Sequence, residues 1–331
     1  MSSIAVFNNK GGVGKTTLLC NLASYIALKK RKKILVIDAD PQCNATQSML
    51  HEEELENIYE KSEGFTLWNV ASPLKVGKGF VKTIKHQHIP DFGVDLLPGD
   101  PQMSLMEDTL SQDWLASTSG DERGLRTTLM FYELLSRCGK YDYVFFDMGP
   151  SLGAINRSIL LACDYFIIPT SIDIFSIQAI RNISSSLIEW RRKFDIGLGN
   201  VKDKSALEVE YKGWNLRFGG YVTQQYTSRR DAEGQMRAVK AYERILKKIP
   251  IVLRKEILVK YQHLMESISN YELGTVPYFH SLIPLSQTSN KPIFQLTSVD
   301  GIVGAHFTKV KEYEGVMQKI AVSFEQHCDN D

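Results

Sequence analysis

The chain has 331 residues, 43% of them hydrophobic and 23% charged, and its formal net charge is +1. That composition supplies a sizeable core, and a net charge near zero excludes a general affinity for polyanions. The five cysteines form no C-x-x-C pair, which argues against a zinc or disulfide framework and favours a reducing compartment.

The first informative element is a glycine-rich segment, KGGVGKTT at residues 10–17. An apolar run at 4–7 precedes it and an amphipathic helical pattern from Leu18 follows, so its context is strand, loop and helix. Glycines let backbone N–H groups curl around phosphate oxygens, and a helix N-terminus adds a positive dipole end. Lys15 can reach terminal phosphates, and the Thr16 hydroxyl can bind Mg²⁺. The segment therefore predicts a nucleoside triphosphate site.

A second lysine, Lys10, lies at the start of the loop, five residues before Lys15. One interpretation is that Lys10 serves a phosphate across a dimer interface, where its charge stabilises negative charge in the transition state. The other is a solvated lysine beside an anion site. The loop by itself leaves both interpretations open.

Carboxylates follow two later apolar runs. The run at 34–37 ends in Asp38 and Asp40, and the run at 143–146 ends in Asp147. In a parallel sheet, such strand ends line the crevice where α/β folds bind ligands. We expect one member of the first pair near Mg²⁺, the other to orient or deprotonate an attacking water, and Asp147 beside Mg²⁺. An ordinary Asp-Pro turn is the alternative for the first pair.

Apolar runs alternate with helical patterns along most of the chain. The runs lie at 4–7, 34–37, 94–97, 143–146, 165–168 and 218–222. This alternation predicts an α/β fold with a doubly wound, mostly parallel sheet and helices on both faces. We expect residues 1–331 to form one domain with surface insertions near 51–90 and 195–216, because neither stretch has enough apolar residues for its own core.

A basic stripe lies late in the chain, where residues 229–260 contain ten Lys or Arg against four Asp or Glu. Apolar residues from Met236 to Ile249 define one face of a helix, and basic residues fall on the opposite face. These basic residues are Arg237, Lys240, Arg244, Lys247 and Lys248. The row predicts salt-sensitive binding of duplex DNA without sequence preference. The alternative is an ordinary solvated helix face.

Together these motifs resemble the ParA/MinD family of deviant Walker A P-loop ATPases, and most closely its ParA (Soj-like) partition ATPases. The matching segments are KGGVGKTT at 10–17, DADPQCNAT at 38–46, YDYVFFDMGPSLG at 141–153, ACD at 162–164, LSQ at 285–287 and KPI at 291–293. The resemblance covers most of the chain and implies the P-loop NTPase fold.

The resemblance assigns roles around the phosphates. It implies that Lys10 reaches the nucleotide of a partner subunit, that Lys15 binds the β- and γ-phosphates, and that Thr17 binds the α-phosphate. The implied nucleotide-binding set is Gly11, Gly12, Val13, Gly14, Lys15, Thr16 and Thr17, with Pro277 at the adenine.

The resemblance also assigns the catalytic and magnesium positions. The implied metal set is Thr16, Asp38 and Asp147, and Asp40 joins Lys10 and Lys15 as the catalytic set because it would position the attacking water. Gly149 replaces the first of two prolines that the family has after its Walker B aspartate. That change should loosen the segment that senses the γ-phosphate.

The function that the resemblance implies is a partition cycle. ATP would drive homodimerisation and non-specific DNA binding, and a ParB-like adaptor or another partner would stimulate hydrolysis of ATP to ADP and phosphate. The cycle would segregate or position DNA or another cargo and would associate the protein with the nucleoid. The second hypothesis is an ATP-gated regulatory switch that controls a neighbouring effector, such as an envelope or defence complex, without moving cargo.

Membrane association is not expected from the sequence. No apolar run approaches the ~18 residues of a membrane span, and the N-terminus runs directly into the first apolar run, which leaves no room for a signal peptide. Residues 324–331 are acidic, unlike the basic amphipathic helix that ends MinD-like proteins. We therefore expect a cytoplasmic protein.

Overall fold

An eight-stranded sheet forms the centre of the computed structural model, which describes residues 1–61, 63–226, 228–230, 236–238, 240–259, 270–279 and 281–329. Side chains are described for all of these except 225, 226, 228–230, 236–238 and 240–242. The strands are β1 (Ser2–Val6), β2 (Ile34–Asp38), β3 (Gln87–Ile89), β4 (Val94–Leu97), β5 (Tyr143–Asp147), β6 (Tyr165–Ser171), β7 (Arg217–Tyr226), β8 (Ser228–Arg230), β9 (Met236–Ala238) and β10 (Glu272–Pro277).

The order across the large sheet is β10-β7-β6-β1-β5-β2-β4-β3, while β8 and β9 form a separate antiparallel ribbon. Neighbouring strands of the large sheet are parallel except for the antiparallel pair β3–β4 at one edge. The prediction of a doubly wound, mostly parallel α/β fold is therefore confirmed.

Helices cover both faces of this sheet. Those in the described part of the chain are α1 (Lys15–Lys30), α2 (Asn44–Met49), α3 (Glu52–Tyr59), α4 (Leu67–Lys75), α5 (Ser104–Ser117), α6 (Glu122–Thr128), α7 (Met130–Ser136), α8 (Ala154–Ala162), α9 (Ile174–Asn200), α10 (Lys240–Leu253), α11 (Leu282–Ser289) and α12 (His306–Cys328). A π-helical turn, Arg254–Val259, continues α10.

Alternate side chains of each strand enter two separate cores. Ile4 and Phe145 pack into the core that α1 and α12 cover, whereas Ala5 and Phe146 pack into the core that α5, α8 and α9 cover. Because both faces are covered, the strands read as continuous apolar runs rather than as alternating ones.

The two stretches expected as surface insertions also contribute to the core. Segment 51–90 supplies α3, α4 and the edge strand β3, and α4 buries Leu67 and Leu74 against the same core as α5. In segment 195–216, Trp214 is buried and its Nε1 donates to the carbonyl oxygen of Leu160 at 2.8 Å. Both stretches are thus anchored to the fold by apolar side chains and carry their charges on the surface.

Candidate functional site

The carboxyl ends of β1, β2 and β5 meet at one edge of the sheet. β1 lies between β6 and β5, and the chain order reverses there, which is where open α/β sheets bind ligands. The strand registers set Val6 and Asp38 on either side of Asp147. The sheet therefore brings the glycine loop and the predicted carboxylates together.

The glycine loop turns from β1 into α1 through left-handed backbone. Gly12 has φ 70° and Gly14 has φ 74°, a conformation that side chains with a Cβ rarely adopt. Gly14 stands at the N-terminus of α1, so the first helical amides face the space in front of the loop. That space is a cavity of about 590 Å³, lined by residues 11–17, Asp40, Gln42, Asn44, Gln47, Ser48, Pro150 and Gln287.

Lys15 is the buried cation of this cavity. Its residue is only 8% exposed, and its Nζ lies 3.5 Å from the carbonyl oxygen of Lys10. Burial lowers the pKa of the Lys15 ammonium, while the charges of Asp147 and Asp40 act in the opposite direction. A bound polyphosphate would supply further compensating negative charge at this position.

Thr16 and Asp147 form a direct pair beneath the loop. The Thr16 hydroxyl donates to Asp147 Oδ2 at 2.8 Å. Asp147 is fully buried, and its Oδ1 makes no hydrogen bond within the described residues. Burial, followed by the charge of Asp38, raises the pKa of Asp147. A hydroxyl beside an unpartnered buried carboxylate oxygen fits Mg²⁺, which takes few protein ligands and completes its shell with phosphates and water.

Nowhere in the described part of the chain do three His, Cys, Asp or Glu side chains converge on one metal position.

Asp38 has its oxygens engaged by neighbouring protein groups. Its Oδ2 accepts from the Thr46 amide at 2.8 Å and from the Thr46 hydroxyl at 2.7 Å, and its Oδ1 accepts from the Asp40 amide at 3.3 Å. The Thr46 hydroxyl also accepts from the Gly99 amide at 2.8 Å. Burial raises the pKa of Asp38 to about 6. Asp38 thus ties α2 to the site, and the sequence motif alone did not reveal this role.

Asp40 lies at the cavity wall. It is 6% exposed, and its Oδ1 accepts from the Gln42 amide at 3.0 Å. Gly149 packs directly against it, since a Cβ added at Gly149 would lie 3.2 Å from Asp40 Oδ1. The carboxylate therefore stands beside the segment that follows Asp147, where a water-positioning group is expected.

Lys10 points away from the cavity of its own chain. Its Nζ forms an ion pair with Asp173 and lies 3.5 Å from the Ser171 hydroxyl. Asp173 also caps α9, because its Oδ1 accepts from the Ser176 amide at 2.9 Å. Asp173 was not among the site residues predicted from the sequence, although an acidic residue just before a long helical pattern is a recognisable capping signal.

Pro277 lies on a smaller, more apolar pocket beside the loop. This pocket has a volume of about 270 Å³ and also touches Gly12, Leu18, Tyr278 and Phe279. Gln224, at the carboxyl end of β7, lines it and donates from Nε2 to the Gly14 carbonyl oxygen at 3.0 Å. Gln224 was not predicted from the sequence. Its signal was available, because Gln224, like Asp38, is a polar residue at the carboxyl end of an apolar strand.

The basic stripe begins later than predicted. Arg237 lies in β9, where the ribbon pairs it with Arg229, and not in a helix, so its assignment to the helical row is wrong. The physical reason is that pairing with β8 uses the backbone groups of 236–238 that a helix would need. Helix α10 starts at Lys240, whose side chain lies outside the described part, as do the side chains of 241 and 242.

Further along α10 the two faces follow the predicted pattern. Ile249 and Leu253 are buried, at 0% and 1% exposure. Arg244, Lys247 and Lys248 are exposed, and Arg254 and Lys255 extend the exposed charge into the π-helical turn. The Ser184 hydroxyl of α9 donates to the carbonyl oxygen of Glu256 at 2.5 Å, which fastens this turn to the domain.

Comparison with known proteins decides the family. Residues 1–198 match the family model AAA_31, described as an AAA domain, and this range includes the glycine loop and all three aspartates of the site. The chain belongs to this ParA/MinD-type family. Over 185 residues it is 30% identical to the chromosome partitioning protein ParA of Caulobacter vibrioides, which covers 56% of this chain and 61% of that protein. The chain thus matches about three-fifths of the length of this curated relative.

Solved structures of other proteins share the fold. Protein DIP2308 from Corynebacterium diphtheriae superposes with a TM-score of 0.69 and 34% identity over 88% of this chain and 97% of that one. A putative plasmid partition protein from Borrelia burgdorferi, bound to AMPPNP, gives a TM-score of 0.60 and 18% identity over 98% of each chain. Among the helices described here, none is both long and apolar enough to cross a membrane.

Proposed function

We propose that the chain is a ParA-type ATPase that binds ATP with Mg²⁺ and hydrolyses it to ADP and phosphate. The observation that carries the proposal is the Thr16–Asp147 pair, with its unpartnered carboxylate oxygen, beside the buried Lys15 of the glycine loop. The AMPPNP in the related Borrelia structure supports the choice of ligand.

Each residue of the site has a separate role in the proposed reaction. The loop amides and Lys15 hold the phosphates, and Asp40 orients a water toward the γ-phosphorus. The water oxygen forms the new bond to phosphorus, the bond to the β–γ bridging oxygen breaks, and ADP leaves. Thr16 and Asp147 would hold Mg²⁺, and Asp38 lies beside Asp147 on the neighbouring strand. The ion would neutralise charge on the phosphate oxygens.

Dimerisation belongs to the same proposal. Lys10 does not face the cavity of its own chain, and its ion pair with Asp173 is partly exposed, at 27% and 34% of the two side chains. Such a pair contributes little stability, so Lys10 is available to a second nucleotide site. We propose that ATP binds first and that a homodimer then forms with Lys10 of each subunit at the other subunit's phosphates.

The wider cycle extends the proposal to DNA and an adaptor. The exposed row of Arg244, Lys247 and Lys248 supports duplex DNA binding without sequence preference. The name of the Caulobacter relative supports a role in segregating or positioning DNA or another cargo. A ParB-like adaptor or another partner would stimulate hydrolysis, and the working location would be the cytoplasm, at the nucleoid when DNA is bound.

Phosphate release from ATP tests the proposal most directly. The wild type should release phosphate only with Mg²⁺, and Thr16→Val should lower the rate about 100-fold, because the variant lacks the hydroxyl beside Asp147. Thr308→Val changes an exposed threonine on α12 and serves as the matched control. Equal rates for Thr16→Val and the control, or turnover that needs no divalent cation, would contradict the assignment of the site.

Sedimentation tests the dimer. Asp40→Ala should trap an ATP-dependent dimer because hydrolysis falls to a low residual rate, and Lys10→Ala should bind nucleotide yet fail to hydrolyse it. If wild type and Asp40→Ala both remain monomeric at saturating ATP, the proposed role of Lys10 in the partner's site is wrong.

A further inference from the structure

The turn that follows Asp147 is held by two side chains that no motif includes. Asn156, on the first turn of α8, donates from Nδ2 to the Gly149 carbonyl oxygen at 2.8 Å and to the Ser151 carbonyl oxygen at 2.7 Å. Both amide hydrogens of Asn156 are therefore used, and the residue is 3% exposed. A single buried side chain thus fixes two carbonyl groups of the turn.

Glu107 holds the other end of the same turn. Its Oε1 accepts from the Ala154 amide and its Oε2 from the Ile155 amide, so the carboxylate caps the N-terminus of α8. Glu107 belongs to α5, which lies outside the glycine-loop motif and is distant from α8 in sequence. Its carboxylate also faces Gly153, where an added Cβ would lie 2.4 Å from Oε1.

The restrained turn packs on Asp40. A Cβ at Gly149 would lie 3.2 Å from Asp40 Oδ1, a tighter contact than side chains normally make. The absence of a Cβ at Gly149 therefore leaves room for the Asp40 carboxylate. The carbonyl oxygen of the same glycine accepts the hydrogen bond from Asn156. A glycine at position 149 should loosen this segment, but the hydrogen bonds of Asn156 and Glu107 restrain it.

We propose that Asn156 and Glu107 are positioning residues for ATP hydrolysis, which act by holding the backbone of Gly149 against Asp40. The inference rests on the proposed ATPase function. It assigns the two residues to the chemical step and not to ATP binding, because their contacts lie on the turn beside Asp40 and neither side chain lines the cavity at the glycine loop.

Steady-state kinetics of Asn156→Ala and Glu107→Gln test the proposal. Both variants should lower kcat about 10- to 100-fold, as expected when a catalytic carboxylate is slightly misplaced, and both should leave KM and the affinity for a fluorescent ATP analogue within about 2-fold of wild type. Gly149→Ala should lower kcat in the same way.

Two matched controls separate positioning from loss of stability. Ser158 lies on α8, the helix that carries Asn156, and is also buried. Its hydroxyl donates to the Thr128 carbonyl oxygen and does not contact the turn after Asp147. Glu133 is buried and pairs with Arg137. Ser158→Ala and Glu133→Gln should lower thermal stability by amounts similar to the test variants and leave kcat unchanged.

A double-mutant cycle gives the decisive readout. If Asn156 acts through Asp40, then adding Asn156→Ala to Asp40→Ala should change the residual rate less than 2-fold. Multiplicative effects of the two substitutions, or a raised KM with an unchanged kcat in Asn156→Ala, would overturn the positioning role alone. A wild type that neither binds the ATP analogue nor releases phosphate would overturn this inference together with the proposed function.

Discussion

The charged side chains are buried at the carboxyl edge of the sheet and exposed on the outer face of α10. At the sheet edge, Lys15, Asp38 and Asp147 are buried and their positions are set by named hydrogen bonds. On α10, Arg244, Lys247 and Lys248 are exposed on a solvated helix face. Phosphoryl transfer needs groups placed within fractions of an ångström, whereas binding to a DNA backbone needs only a row of charge. One substitution should therefore abolish the first activity, and several are needed to abolish the second.

Lys15→Ala should have the largest effect of any single change. The loop amides remain in this variant, but the buried positive charge at the phosphates is lost, so ATP turnover should fall at least about 100-fold. Phosphate release and binding of a fluorescent ATP analogue measure the effect. Lys319→Ala, an exposed lysine on α12, is the control and should behave as wild type. Undiminished ATP turnover in Lys15→Ala would show that a single buried charge at the sheet edge is not essential, and the proposed contrast with the exposed charges of α10 would then be wrong.

Charge reversal on α10 tests the other side of the comparison. The triple variant Arg244→Glu, Lys247→Glu and Lys248→Glu should lose duplex DNA binding while ATP turnover stays within about 2-fold of wild type. Wild-type affinity should fall with a log–log salt slope of about −0.9 for each phosphate contact. Gel shifts with ATP at two salt concentrations measure both quantities.

The control for that experiment reverses the same number of charges elsewhere. Lys309, Lys311 and Lys319 are exposed on α12, and their replacement by Glu changes the net charge equally. Binding that weakens as much in this control as in the α10 variant would mean that overall charge, and not the α10 face, governs the interaction. Wild type that binds no DNA even at low salt would favour the regulatory-switch hypothesis.

The sequence predicted which residues meet at the carboxyl edge because the signals for this placement are local. The glycine loop, the apolar runs before Asp38 and Asp147, and the parallel order that aligns them each lie within a few consecutive residues or follow from general rules of α/β topology. The same rules could not reveal Asn156 and Glu107, since these residues act through contacts between α5, α8 and a turn that the chain brings together only on folding.

Weak or competing local patterns explain the remaining differences. The edge strand β3 has only three residues, Gln87–Ile89, and β10 contains Gly274 and ends in Pro277, so neither gives a strong strand signal. Helical periodicity extended the basic stripe back to Arg237, but the backbone there pairs with β8. Backbone pairing with a strand only a few residues earlier in the chain can override the helical periodicity of a short segment.

Asp173→Asn should have a moderate effect on the dimer. Asn keeps the capping oxygen for α9 but removes the charge that holds Lys10 within its own subunit. An exposed ion pair contributes roughly 0.2–1 kcal/mol, and both subunits of the dimer release a Lys10, so ATP-dependent dimerisation should strengthen by about 2- to 30-fold. Sedimentation at several protein concentrations measures the change. Weaker dimerisation in this variant would indicate that Asp173 itself contributes to the interface.

The smallest expected effect is the pH dependence of a buried histidine on α12. His327 of α12 is 6% exposed, and its Nδ1 lies 2.9 Å from the Gly219 carbonyl oxygen. Burial lowers the pKa of His327, so the folded protein holds the ring neutral at a pH where the unfolded chain already binds a proton.

Stability that depends on neutral His327 is therefore fully present above about pH 6.5, the ordinary pKa of histidine, and is lost as the pH falls below it. His327→Asn keeps an N–H donor for Gly219 and removes the titration. Between pH 7.5 and pH 5.5, the wild-type Tm should drop by about 1–2 °C more than that of the variant. Scanning calorimetry at both pH values measures this difference, in which other titrating groups cancel. If the Tm values of wild type and variant fall equally between the two pH values, burial of the His327 ring does not affect its protonation. The ring would then differ from the buried charged groups at the sheet edge.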